Sequence, residues 1–120
     1  MNCGMPRENK FNLEFPLQDN EKIIHKGYAN MHDSDYIVNG ALYLTDARIV
    51  FVGLVPHNNT KVTCSIFLSR IEEVKKEKSL LFLSNVLRVL DCDKQDYKFI
   101  VKDQKEWHAQ ILRQLNQPAG

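Results

Sequence analysis

The chain has 120 residues, 43% apolar and 26% charged. That is one domain with enough apolar side chain to bury a core and a composition unlike that of disordered segments. A net charge of +1 gives no large positive field that would hold nucleic acid or an anionic membrane non-specifically. The 3 cysteines, with no C-x-x-C pair, point away from a disulfide framework or a structural zinc site.

Residues 1–20 read as an extended arm. Pro6 and Pro16 interrupt it, and polar residues separate Phe11, Leu13 and Phe15, so one or two aromatics can be laid on the body. Glu21 to Ala29 reads as the first strand, with Ile24 as its apolar anchor. Asn30 to Asn39 reads as a polar loop, and Asn39-Gly40 as a turn where φ > 0 is cheap. Leu42 and Leu44 then share one face of a strand, and Ile49 and Phe51 share one face of the next, across a tight polar turn. Pro56 to Thr60 is turn chemistry. Val62, Cys64, Ile66 and Leu68 alternate on another strand, and Cys64 and Cys92 read as small, half-buried residues in or beside strands. Ser69-Arg70-Ile71 is a brief turn. Glu73 to Lys78 is a charged strand anchored by Val74. Leu80 to Leu83 falls in a connection that Ser84-Asn85 turns. Val86 to Cys92 is a strand, Asp93-Lys94-Gln95 a turn, and Tyr97, Phe99 and Val101 alternate inward on the last strand.

The period then changes. Asp103 and Glu106 have the spacing of a capping box. Trp107, Ile111 and Leu115 are four apart, with Leu112 in the same stripe, which predicts one amphipathic helix ending near residue 115. Seven short strands and a terminal helix predict a sandwich or barrel, with Trp107 plugging an open end.

Three segments in this order resemble a known family. Gly40-Ala41-Leu42-Tyr43-Leu44-Thr45-Asp46-Ala47-Arg48-Ile49-Val50-Phe51 is similar to the G-x-L-x-L-T-x-x-R-h-h-F hairpin of GRAM domains, a branch of the pleckstrin-homology-like superfamily. Ser65 to Val74 is similar to the family's I-P-L-x-x-I-x-x-V segment, and Tyr97 to Val101 with Trp107 to its closing strand and helix. The resemblance covers about residues 21–115. It implies a mainly β fold: a seven-stranded, partly open barrel of two near-orthogonal antiparallel sheets, capped by one C-terminal α-helix. The expected organisation is an arm at 1–20, the domain at 21–116 and a tail at 117–120. The family includes lipid-binding members, so the resemblance implies a non-catalytic binding module without a cofactor.

Candidate contacts follow from the residues. Leu80, Leu81, Phe82 and Leu83 lie beside Lys75, Lys76 and Lys78, the combination of buried area and positive charge that an interfacial membrane contact needs. The same tip suits a protein partner, or it folds back as core. Glu72, Glu73 and Glu77 offset the local lysines. Lys22 and Lys26 are secondary candidates. Gly27 to Gly40 holds two Asp and neither Lys nor Arg, so the clamp expected of a tight phosphoinositide site in that loop is missing. Arg48 reads better as a residue that lies along the sheet or pairs with a neighbouring carboxylate than as an anion contact.

His32-Asp33-Ser34-Asp35 lacks the glycine and distal glutamate of a calcium loop, and no histidine or cysteine has zinc spacing. No nucleophile motif or phosphate loop appears. The expected partner is a membrane phospholipid or a protein, and not nucleic acid. The absence of a leader-like apolar stretch at Met1-Asn2-Cys3-Gly4 suggests a cytoplasmic protein, at the inner face of a membrane if it binds one.

Overall fold

A computed structural model describes residues 14–32, 37–55, 60–79 and 84–117. The expectations for most of the arm, for the Asp33 to Tyr36 loop, for the turn at 56–59 and for Leu80 to Leu83 lie outside the described residues.

The strands are β1 (Ile23–His32), β2 (Ile37–Thr45), β3 (Arg48–Leu54), β4 (Lys61–Phe67), β5 (Ile71–Ser79), β6 (Ser84–Asp91) and β7 (Asp96–Val101). A 3₁₀ turn, Leu68–Arg70, joins β4 to β5, and helix α1 (Gln104–Leu115) follows β7. The strands form one 7-stranded sheet in the order β4-β3-β2-β1-β7-β6-β5, antiparallel throughout. β4 and β5 end that order without pairing to each other, so the barrel is partly open. Helix α1 packs on β5, β6 and β1.

The core follows the alternation of the sequence. Leu42, Leu44, Ile49, Phe51, Leu87 and Phe99 are sealed inside, joined by Trp107 and Ile111 from the helix. Strands β2 and β3 are buried on both faces, because Tyr43, Val50 and Val52 form a second cluster outside. Phe15 from the arm covers it, its ring 4.8 Å from that of Tyr43.

Several local expectations are corrected. The first strand runs past Ala29 to His32, and Ile24 is no anchor: Ile23 and Ile24 are both exposed. A register shift between Ile23 and His25 moves the inward positions onto His25, Gly27 and Ala29, small or polar residues that leave room for Trp107. Ser84 and Asn85 do not turn the chain; they open β6, opposite Ser79 and Lys78. Cys64 lies half-buried in β4 while Cys92 is exposed in a turn. Asp103 makes no side-chain cap bond. Instead the buried Gln104 turns inward, and its amide donates to the carbonyls of Glu77 and Val86, each at 2.7 Å. Leu112 is exposed rather than part of the buried stripe.

Gly40 is also not in a turn. It sits within β2 opposite Gly53 of β3. A Cβ at Gly40 would lie 2.1 Å from the Val52 carbonyl oxygen and 2.7 Å from the Gly53 Cα. The glycine is there because two backbones approach closely, not because φ is positive. Gly40→Ala should cost about 1–3 kcal/mol, as overpacking does. A urea titration checks this, and an unchanged midpoint would mean that β2 and β3 can part at no cost.

Candidate functional site

Arg48 opens β3 on the outer face and spends its donors within the protein. Its Nε and NH2 reach the two carboxylate oxygens of Glu21 at 2.9 and 3.0 Å. NH1 donates to Ser65 Oγ at 3.1 Å and NH2 to the Pro16 carbonyl at 3.0 Å. The guanidinium also lies over the ring of Phe15. Thr45 Oγ1 donates to Glu21 at 2.6 Å and accepts the Ala47 and Arg48 backbone N–H groups, both at 3.0 Å. The Arg48 hydrogen bond, with help from Gln18 N–H and Thr45, overcomes desolvation and holds the Glu21 carboxyl down at about 2. Arg48 thus ties the arm to the hairpin, as the carboxylate-partner reading expected. Glu21 itself carries no signal in the sequence, since its partner lies 27 residues away.

The lysines of β5 divide. Lys75 is opposite Arg88 in register and sits 3.8 Å from Glu73. Arg88 in turn donates to Glu77 at 3.0 Å and to Asp96 at 2.9 Å. That face is compensated, and Lys75 belongs to it. Lys76 and Lys78 occupy the alternate positions and are exposed. Lys78 pairs with Asn85, Asn85 with Val101, and Val101 with Ala29. One cross-strand row therefore runs over β5, β6, β7 and β1.

β5 ends at Ser79 and β6 begins at Ser84 at this end of the sheet. Lys102 follows Val101 here, and Lys26 precedes Ala29 by three residues. The β1–β2 connection lies at the opposite end. Lys22 is apart, at the Asp46 turn, where its N–H donates to Asp46 Oδ1 at 3.1 Å. The pairing thus gathers Lys26, Lys78 and Lys102 at one end of the sheet and leaves Lys22 and Lys75 out of that group. Lys102 has no mark in the sequence; only the pairing of β7 brings it to the rim.

A groove opens on the same rim. β1 pairs with β2 along its length but with β7 only from Ala29 to Met31. A cavity of about 610 Å³ lies beside the unpaired half, lined among others by His25, Lys26, Tyr28, Asn85, Lys102 and Trp107. The His25 ring meets the Trp107 ring edge-on at 4.5 Å. Tyr28 is 86% exposed and Trp107 only 2%. Hydrogen-bond donors, two ammonium groups and aromatic surface make this chemistry for recognition.

A family model described as GRAM domain matches residues 8–119. No curated protein matches the sequence. Among solved structures, the C-terminal domain of an unknown protein from Leishmania infantum superposes with a TM-score of 0.70 at 15% identity, over 95% of this chain and 97% of that one. The Vps36 N-terminal PH domain gives 0.66 at 17% identity, over 83% of each chain. The Slm1-PH domain, solved in complex with inositol-4-phosphate, gives 0.51 at 13% identity, over 79% of this chain and 96% of that one. At such identities the likeness is one of fold.

Proposed function

The chain belongs to the GRAM domain family, with a pleckstrin-homology-like fold, and from that premise we propose that it is a non-catalytic module making a peripheral contact with anionic membranes from the cytoplasmic side. The observation that carries this reading is the row Lys78–Asn85–Val101–Ala29. It brings Lys78 and Lys102 to one end of the sheet, with Lys26 on the next strand, and in this reading Leu80 to Leu83, which follow β5 in the sequence, supply the apolar side chains. Apolar side chains enter the boundary between headgroups and acyl chains while the lysines meet anionic headgroups. No helix among the described residues is long and apolar enough to cross a membrane. The Slm1-PH domain was solved in complex with inositol-4-phosphate, which supports an anionic headgroup ligand for this shape of domain.

Co-sedimentation with vesicles of phosphatidylcholine alone, and of phosphatidylcholine with phosphatidylserine, tests the reading. Binding should require the anionic lipid and weaken as salt rises. Each lysine near such a surface contributes about 1 kcal/mol, so the double variant Lys78→Glu, Lys102→Glu should bind at least about tenfold more weakly. Equal sedimentation with neutral and anionic vesicles would contradict the proposal.

The second reading is a protein-interaction module without a lipid ligand. The unpaired half of β1 is the observation in its favour, because an open strand edge can accept another strand.

A further inference from the structure

We propose that the open half of β1, about His25 to Tyr28, receives an extended, acidic segment of a partner protein as an added strand. This site shares Lys26 and Lys102 with the proposed membrane contact, and the inference rests on the protein-interaction reading and not on the membrane one.

Three observations converge on it. The first is backbone supply and demand. β7 leaves β1 after the Val101–Ala29 pair, and the chain bends through Lys102 and Asp103 into α1. Among the described residues, no strand pairs with β1 beyond that point on this side. A strand edge offers alternating N–H and C=O groups, and only another extended backbone answers both. The place is the one β7 would fill if it ran on.

The second is the indole of Trp107. Its side chain lines the groove and is almost wholly buried. Its Nε1 lies beside Gly27, 3.8 Å from where a Cβ on that residue would be. No partner for the N–H exists among the described residues, although buried indole N–H groups ordinarily find one. A carbonyl or small polar group of an added strand is an acceptor for it.

The third is charge and surface. On β1, Lys26 and Tyr28 alternate with His25 and Gly27, so they face outward while the groove floor is Trp107. Lys26 and Lys102 stand on the rim and Asp103 is the only acidic residue of the lining among the described residues. Tyr28, 86% exposed, is an unshielded aromatic of the kind that anchors interfaces. An added strand with carboxylates on its outward positions and apolar residues inward matches both faces.

The probe is the acetylated, amidated heptapeptide TVEVEVT, compared with TVKVKVT. The chain has 1 tryptophan, which lines the groove, so its emission follows the titration. Amide hydrogen exchange then locates the contact. The acidic peptide should bind at least tenfold more tightly than the basic one and should slow exchange at alternate amides between Ile23 and Tyr28. N-methylation of the acidic peptide on its pairing edge should remove at least nine-tenths of the affinity. Lys26→Glu with Lys102→Glu, two exposed changes, should reverse the preference between the peptides.

Any one of several results would overturn the proposal. They are equal affinity for both peptides, indifference to N-methylation, protection at β4 or β5 instead, or the same β1 protection from inositol phosphate alone. Emission that changes only with protein concentration would place a second copy on the edge and would also overturn it.

Discussion

Trp107→Ala should lower the stability of the protein by about 3–5 kcal/mol, the range for truncating a buried aromatic. Trp107 is 2% exposed and enters the cluster that holds Leu44, Phe51, Phe99 and Ile111. It fills the space left where β1 presents only His25, Gly27 and Ala29. With no hydrogen bond from the indole N–H to lose among the described residues, the effect is packing and the cavity left behind. Chemical denaturation measures it. A loss below about 1 kcal/mol would show that the helix does not plug the barrel, and the groove beside it would then lack its floor.

Glu21 should dominate the acid limb of the stability curve. Its carboxyl is held down at about 2 against an ordinary 4.5, first by the Arg48 hydrogen bond, and its side chain is 1% exposed. A group with a depressed folded pKa gives its full stability above the unfolded value, so the contribution is intact above about 4.5. It drains away as pH falls toward about 2 and amounts to roughly 3 kcal/mol. Glu21→Gln should lose a similar amount at neutral pH, because Arg48 is left with a neutral partner in a buried place. It should also flatten the dependence on pH between about 5 and 2. Parallel acid titrations of wild type and variant decide the matter, and coincident curves would mean that Glu21 is solvated.

Much of the fold was legible because one-sided burial writes itself as alternation. Leu42, Leu44, Ile49 and Phe51 lie on the inner face where their period of two put them, and Trp107 and Ile111 lie on the buried side of the helix. The misreadings share a cause: tertiary context at single residues. Ile24 sits at a shift in register that no local pattern announces. Gly40 looks like turn chemistry and is a close approach of two strands. Asp103 has the spacing of a cap, but the neighbouring Gln104 finds carbonyls across the fold. Of the candidate site, the β5 lysines and their apolar neighbours were visible as a run along the chain. Lys102 was not, nor was the role of Lys26, because their position depends on which strand lies next to which. Glu21 was hidden for the same reason.

The most direct measurement of membrane contact is depth-dependent quenching at residue 82. The chain's own Trp107 is buried on the inner side of the helix and gives the background. Phe82→Trp adds a second emitter at the hairpin connection, read against vesicles of phosphatidylcholine and phosphatidylserine whose acyl chains carry bromine. The expected result is that the added emission is quenched by the brominated chains while wild-type emission on the same vesicles is not. Bound protein whose added emission escapes quenching would contradict the claim that this end of the sheet meets the membrane.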